Sequence, residues 1–135
     1  MNAKQYIRMA KGSPITGYPD YETGSEAQSE RKMSWLRAGK KLCKQLAKEL
    51  GLADGTYDIR VNPAGPACSG DVHLHSSKVY IALEQTCLGP DFGFMYRECT
   101  SRHDFTGKQN RWAKWESLLN LPELAKKIKQ ECHIS

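Results

Sequence analysis

The chain has 135 residues, 39% of them hydrophobic and 26% charged, which suits one domain whose core needs neither disulfides nor a metal for stability. No apolar run reaches the roughly 18 residues of a membrane span, the N-terminus lacks the apolar core of a signal peptide, and Cys43, Cys68, Cys87, Cys99 and Cys132 show no repeated short spacing. The expectation is a cytoplasmic protein with free thiols, no membrane contact, no metal and no other cofactor, and its formal charge of +5 favours an acidic partner such as nucleic acid or another phosphorylated ligand.

Residues 1–24 concentrate turn formers, Gly12-Ser13-Pro14, Gly17-Tyr18-Pro19-Asp20 and Thr23-Gly24, and read as an N-terminal arm. Tyr6, Ile7, Ile15, Tyr18 and Tyr21 offer anchors to the body, a single domain over 25–135. Thr23 with Glu26 and Ser25 with Gln28 both fit a capping box. Trp35, Leu36, Leu42, Cys43, Leu46, Ala47 and Leu50 then recur at three- and four-residue steps up to Gly51, which predicts one long amphipathic helix. Its other face carries Arg31, Lys32, Arg37, Lys40, Lys41, Lys44 and Lys48 against Glu26, Glu30 and Glu49. Such a face is either simply solvated or an electrostatic footprint for phosphates.

Tyr57, Ile59 and Val61 alternate with Asp58, Arg60 and Asn62 as a first strand. A proline- and glycine-rich loop, 63–70, follows, with no lysine placed to make it a phosphate loop. Val72 and Leu74 alternate with Asp71, His73 and His75, and Val79, Ile81 and Leu83 with Lys78, Tyr80 and Ala82. These are two half-buried strands joined at Ser76-Ser77. That turn sets Leu74 opposite Val79, Val72 opposite Ile81, His75 opposite Lys78 and His73 opposite Tyr80. Phe92, Phe94 and Tyr96 form a fourth strand. Beyond a polar segment, Trp112, Trp115, Leu118 and Leu119 predict a short helix, and Asn120-Leu121-Pro122-Glu123 caps a last one. The fold class is therefore α+β, a two-layer sandwich: an N-terminal helix, a four-stranded antiparallel meander and two short C-terminal helices, with one sheet face at least partly open. In outline the order is similar to the double-stranded RNA-binding domain. The lysine cluster which that family places at the start of its last helix is absent as a tight run, and no His follows Gly65-Pro66. No family is assigned on outline alone.

Two places hold candidate chemistry. The open face presents Asp58, Arg60, Asn62, Asp71, His73, His75, Tyr80, Glu84, Met95 and Arg97. His73 and His75, with His103 from a loop, are the candidate catalytic residues, and Asp71, Glu84 and Tyr80 the candidate partners. As metal ligands the two histidines would need Cys68, Cys99 or His103 to approach through loops, and those spacings match no closed zinc pattern. The second place is the basic loop before the predicted helix at Trp112. Arg97, Arg102, Lys108 and Arg111, with Thr106, Gly107 and Asn110, would form a phosphate cradle at a helix N-terminus. The rival is a loop whose cations are met internally by Asp104 or Glu98. The leading expectation is a small basic protein that binds nucleic acid or another phosphorylated ligand without catalysis. One alternative is a hydrolase-type or metal-assisted enzyme acting on such a ligand through the sheet-face histidines. The other is a protein-interaction inhibitor or accessory factor of a nucleic-acid machine.

Overall fold

The computed structural model describes residues 1–12, 24–63, 70–85, 91–102, 104 and 108–135, with the side chains of 24–29 outside the description. The predicted long helix is present as α2, Gly24–Glu49. Its apolar stripe buries Trp35, Leu36, Leu42, Cys43, Leu46 and Ala47, as three- and four-residue spacing requires of a helix laid on a sheet. The capping-box residues lie outside the described side chains.

The N-terminal arm begins as a helix, α1, Ala3–Lys11, opened by a capping box between Asn2 and Gln5. Tyr6 is fully buried and stacks on Trp35 at 4.8 Å between ring centres, while Trp35 donates its indole N–H to the Tyr6 carbonyl at 3.2 Å. A stacked pair of this kind contributes about 0.5–1.5 kcal/mol beyond the area it buries. Gln85 donates its amide to the carbonyls of Ala10 and Gly12 at 2.8 and 3.1 Å, closing the end of α1, and Lys11 pairs with Glu116. Residues 3–11 thus share the core of the body. The other anchors, Ile15, Tyr18 and Tyr21, lie outside the described residues.

The sheet is an antiparallel meander of five strands, one more than expected: β1 (Tyr57–Asn62), β2 (Asp71–Ser76), β3 (Val79–Glu84), β4 (Phe94–Glu98) and β5 (Arg111–Ala113), in the order β1-β2-β3-β4-β5. The predicted helix at Trp112 is replaced by β5 followed by a 3-10 helix, Trp115–Leu119. Spacings of three between Trp112, Trp115 and Leu118 fit a 3-10 helix as well as an α-helix. The unpaired edge of β4 then draws in residues 111–113, with Met95 opposite Trp112 and Phe94 opposite Ala113. A last helix, α3 (Leu121–Glu131), is capped by the Asn120 side chain.

The hairpin register also differs from expectation. Ser76 pairs across to Val79, so Leu74 faces Ile81, Val72 faces Leu83, His75 faces Tyr80 and Asp71 faces Glu84. The turn is Ser77-Lys78, because the buried Ser76 hydroxyl accepts from the backbone N–H groups of both Lys78 and Val79 at 3.1 Å. A serine at the head of a turn commonly closes it this way. Each strand has moved by one residue, so the side-chain faces are kept while every pairing changes. Val72, Leu74, Val79, Ile81, Leu83, Phe94 and Tyr96 form the sheet's share of the core beneath the helices.

Candidate functional site on the open sheet face

Across the face turned away from the helices, strand pairing aligns three rows. These are Asp58, His75, Tyr80 and Arg97; Arg60, His73, Ala82, Met95 and Trp112; and Asn62, Asp71 and Glu84. Tyr80 stands in the middle. The His73 and His75 rings meet its ring edge-on at 5.2 and 5.1 Å, and the Arg97 guanidinium lies 4.5 Å from its centre. Burial, reinforced by the charge of Glu84, pushes the Tyr80 hydroxyl up to about 12, so it keeps its proton and holds His73 Nδ1 in a hydrogen bond. The other ring nitrogen, Nε2, comes within 2.7 Å of Asp71 Oδ1. Donor atoms of Asp71, His73 and Glu84 all lie within 4.8 Å of one another. Asp71 and His73 line a cleft of about 290 Å³ together with Arg60, Asn62, His75 and Tyr80.

Glu84 feels this crowding. Burial, and then the neighbouring Asp71 carboxylate, raise its pKa against a smaller lowering by His73. A carboxyl raised in the fold is destabilised as its anion, and that loss is absent below the unfolded pKa and grows as pH rises through the folded one. Glu84→Gln should therefore increase resistance to urea at neutral pH. The difference from wild type should shrink to nothing near about pH 3, where glutamate is protonated in both states. A Gln variant less stable than wild type at pH 7 would show that the carboxylate is held by contacts that outweigh its burial and the repulsion from Asp71.

The two sheet histidines have separate surroundings. Both line the cleft, but His73 turns its Nε2 to Asp71, whereas His75 is 3% exposed and sets its Nε2 3.7 Å from Cys99 Sγ. Burial raises the Cys99 thiol above its usual value, the Arg97 charge only partly opposing this, which disfavours the thiolate. His103 lies outside the described residues, as do Thr106, Gly107, Cys68 and Cys87.

Among the described residues of the basic loop, Arg97, Arg102 and Arg111 point to different places. Arg97 is buried on the open face over Tyr80 and donates to the Asp104 carbonyl at 3.3 Å. Arg102 grips Asp58 of β1 with two hydrogen bonds, at 3.0 and 2.9 Å, and the Gly55 carbonyl at 2.8 Å. Its charge is thus met internally, by a carboxylate 44 residues upstream and not by Asp104 or Glu98. Asp104 instead accepts from the backbone and hydroxyl of Thr100 at 3.0 and 2.9 Å. Arg111 sits on β5 opposite Tyr96, on the helix side of the sheet and so on the face opposite Arg97. Lys108 and Asn110 are exposed. With β5 in place of a helix, the expected helix N-terminus is absent there and supplies no anion site. The Arg102–Asp58 clamp was not legible in the sequence, because nothing local marks a partner so far along the chain.

Compared with protein-family models, with curated proteins and with solved structures, the chain has no significant match.

Proposed function

We propose that the protein binds nucleic acid without catalysis, through the exposed face of α2. The observation that carries this reading is charge placement. The exposed positions of α2 from Arg37 to Glu49 are Arg37, Lys40, Lys41, Lys44, Gln45, Lys48 and Glu49. At 3.6 residues per turn the five cations fall within an arc of about 100° and a length of about 17 Å. Among the described residues none of the five has a carboxylate within ion-pair distance. Like charges three and four apart weaken a helix by a few tenths of a kcal/mol per pair, a cost that a polyphosphate offsets. Beside the stripe runs a groove of about 440 Å³ lined by Lys44, Gln45, Lys48, Leu52, Asp54 and Tyr57. Lys44, Lys48, Leu52 and the Tyr57 ring are suited to a phosphate with its base, with the Asp54 carboxylate at the same groove.

The test is binding to random-sequence duplex and single-stranded probes across a salt series. Five phosphate contacts predict a log–log slope of about −4.5 on duplex and about −3.5 on single strands. Absence of binding at low salt, or affinity insensitive to salt, would remove the proposal. A second reading, turnover of a phosphorylated ligand at the sheet face, is favoured by the cleft that joins Asp71, His73 and Tyr80 to Arg60. Hydrolysis abolished by His73→Ala in a folded protein would put that reading first.

A further inference from the structure

We propose that Asp71, His73 and Glu84 bind one divalent ion of the first transition series at the rim of the sheet-face cleft. The site is independent of the α2 surface, and it is not the one weighed from the sequence, which would have drawn on Cys68, Cys99 or His103.

Three observations converge. First, the donor set is two carboxylates and one imidazole with mutual distances within 4.8 Å. Oxygen and nitrogen donors without sulfur suit ions such as Mn²⁺, Fe²⁺ or Zn²⁺, and three protein ligands leave coordination positions open. Second, Asp71 Oδ1 and His73 Nε2 are 2.7 Å apart and both are shielded from solvent, yet neither has an aligned hydrogen-bond partner. Two donor atoms about 2.1 Å from a common ion would stand about 3.0 Å apart at adjacent octahedral positions, slightly wider than this spacing. Third, the opposite ring nitrogen, His73 Nδ1, is taken by the Tyr80 hydroxyl. With an ion on Nε2, the Nδ1–H would donate to the Tyr80 oxygen, the kind of outer hydrogen bond that orients a ligating imidazole, and Tyr80 would be the positioning residue. Glu84 enters because the strand register sets it directly opposite Asp71. An ion there would stand between the two facing carboxylates. The open positions would face the cleft shared with Arg60 and Asn62, a cation and an amide suited to an anionic oxygen ligand.

Metal-free full-length protein titrated with Zn²⁺ and with Mn²⁺ by calorimetry should take up one equivalent. His73→Ala and Glu84→Gln should each weaken binding by at least about tenfold with the far-UV spectrum unchanged, and Tyr80→Phe by about 10- to 100-fold, the range for outer-shell partners. His133→Ala removes the exposed imidazole that pairs with Glu98 at 3.2 Å and should change nothing. In wild type, Zn²⁺ should shift the His73 Nε2 resonance directly, a readout that does not depend on any variant folding. The proposal is overturned by absence of saturable binding of either ion, by affinity retained in both His73→Ala and Glu84→Gln, by loss of binding in His133→Ala, or by a stationary His73 resonance at saturation.

Discussion

Replacing Gly93 by alanine should destabilise the protein by about 2–5 kcal/mol in chemical unfolding. About 1–2 kcal/mol of this comes from holding a side chain in the left-handed region, and the remainder, about 1–3 kcal/mol, from overpacking. Gly93 has φ +87°, and a Cβ there would stand 1.8 Å from the Ala113 carbonyl oxygen and 2.7 Å from its carbon. Those atoms are backbone, so β5 must shift. It follows that Phe94–Ala113 and Met95–Trp112 pairing should weaken, with faster amide exchange at 111–113. Gly55→Ala is the matched control, since Gly55 has φ +82° and nothing within 4 Å of an added Cβ. It should show only the backbone cost. Equal losses in the two variants would mean that the close approach at Ala113 contributes nothing.

Reversing two charges on α2, Lys41→Glu with Lys44→Glu, should lower nucleic-acid affinity on the order of a hundredfold at physiological salt. Loss of two phosphate contacts should flatten the duplex salt slope by about 1.8. The thermal midpoint should hold or rise. Lys44 has Lys40 four residues before it and Lys48 four after, and Lys41 has Arg37 four before it. A glutamate at either place turns repulsive pairs into attractive ones, each worth about 0.2–0.5 kcal/mol. Affinity and stability therefore move in opposite directions, which partial unfolding cannot imitate. Unchanged affinity in the double variant would rule out α2 as the contact surface.

Much of the architecture is local in origin and was readable without coordinates. The spacing of Trp35, Leu36, Leu42, Cys43 and Leu46 specifies a helix with one buried side, and the alternation of Val72 and Leu74 with Asp71, His73 and His75 specifies a strand with one polar side. Because strand faces repeat every two residues, the polar list of the open face holds even though the predicted hairpin register was wrong. The shift that moved each strand by one residue preserves parity. The stripe on α2 is legible for the same reason: a helical face is a property of spacing alone.

What only the tertiary structure decided depends on which residues stand opposite one another. In the register expected from a Ser76-Ser77 turn, Asp71 would face Ala82. The Ser76 hydroxyl, by closing the turn one residue later, sets Asp71 against Glu84 and assembles the cluster with His73. The basic loop shows the converse. Arg97, Arg102 and Arg111 are near one another along the chain, yet they part to a tyrosine ring, a carboxylate on β1 and the helix side of the sheet. Side-chain periodicity is a local property of the backbone, so the amino-acid sequence alone determined the faces. Pairing depends on a turn hydroxyl, a free strand edge and a partner 44 residues away, none of which is encoded in spacing, and so the sites were decided in three dimensions.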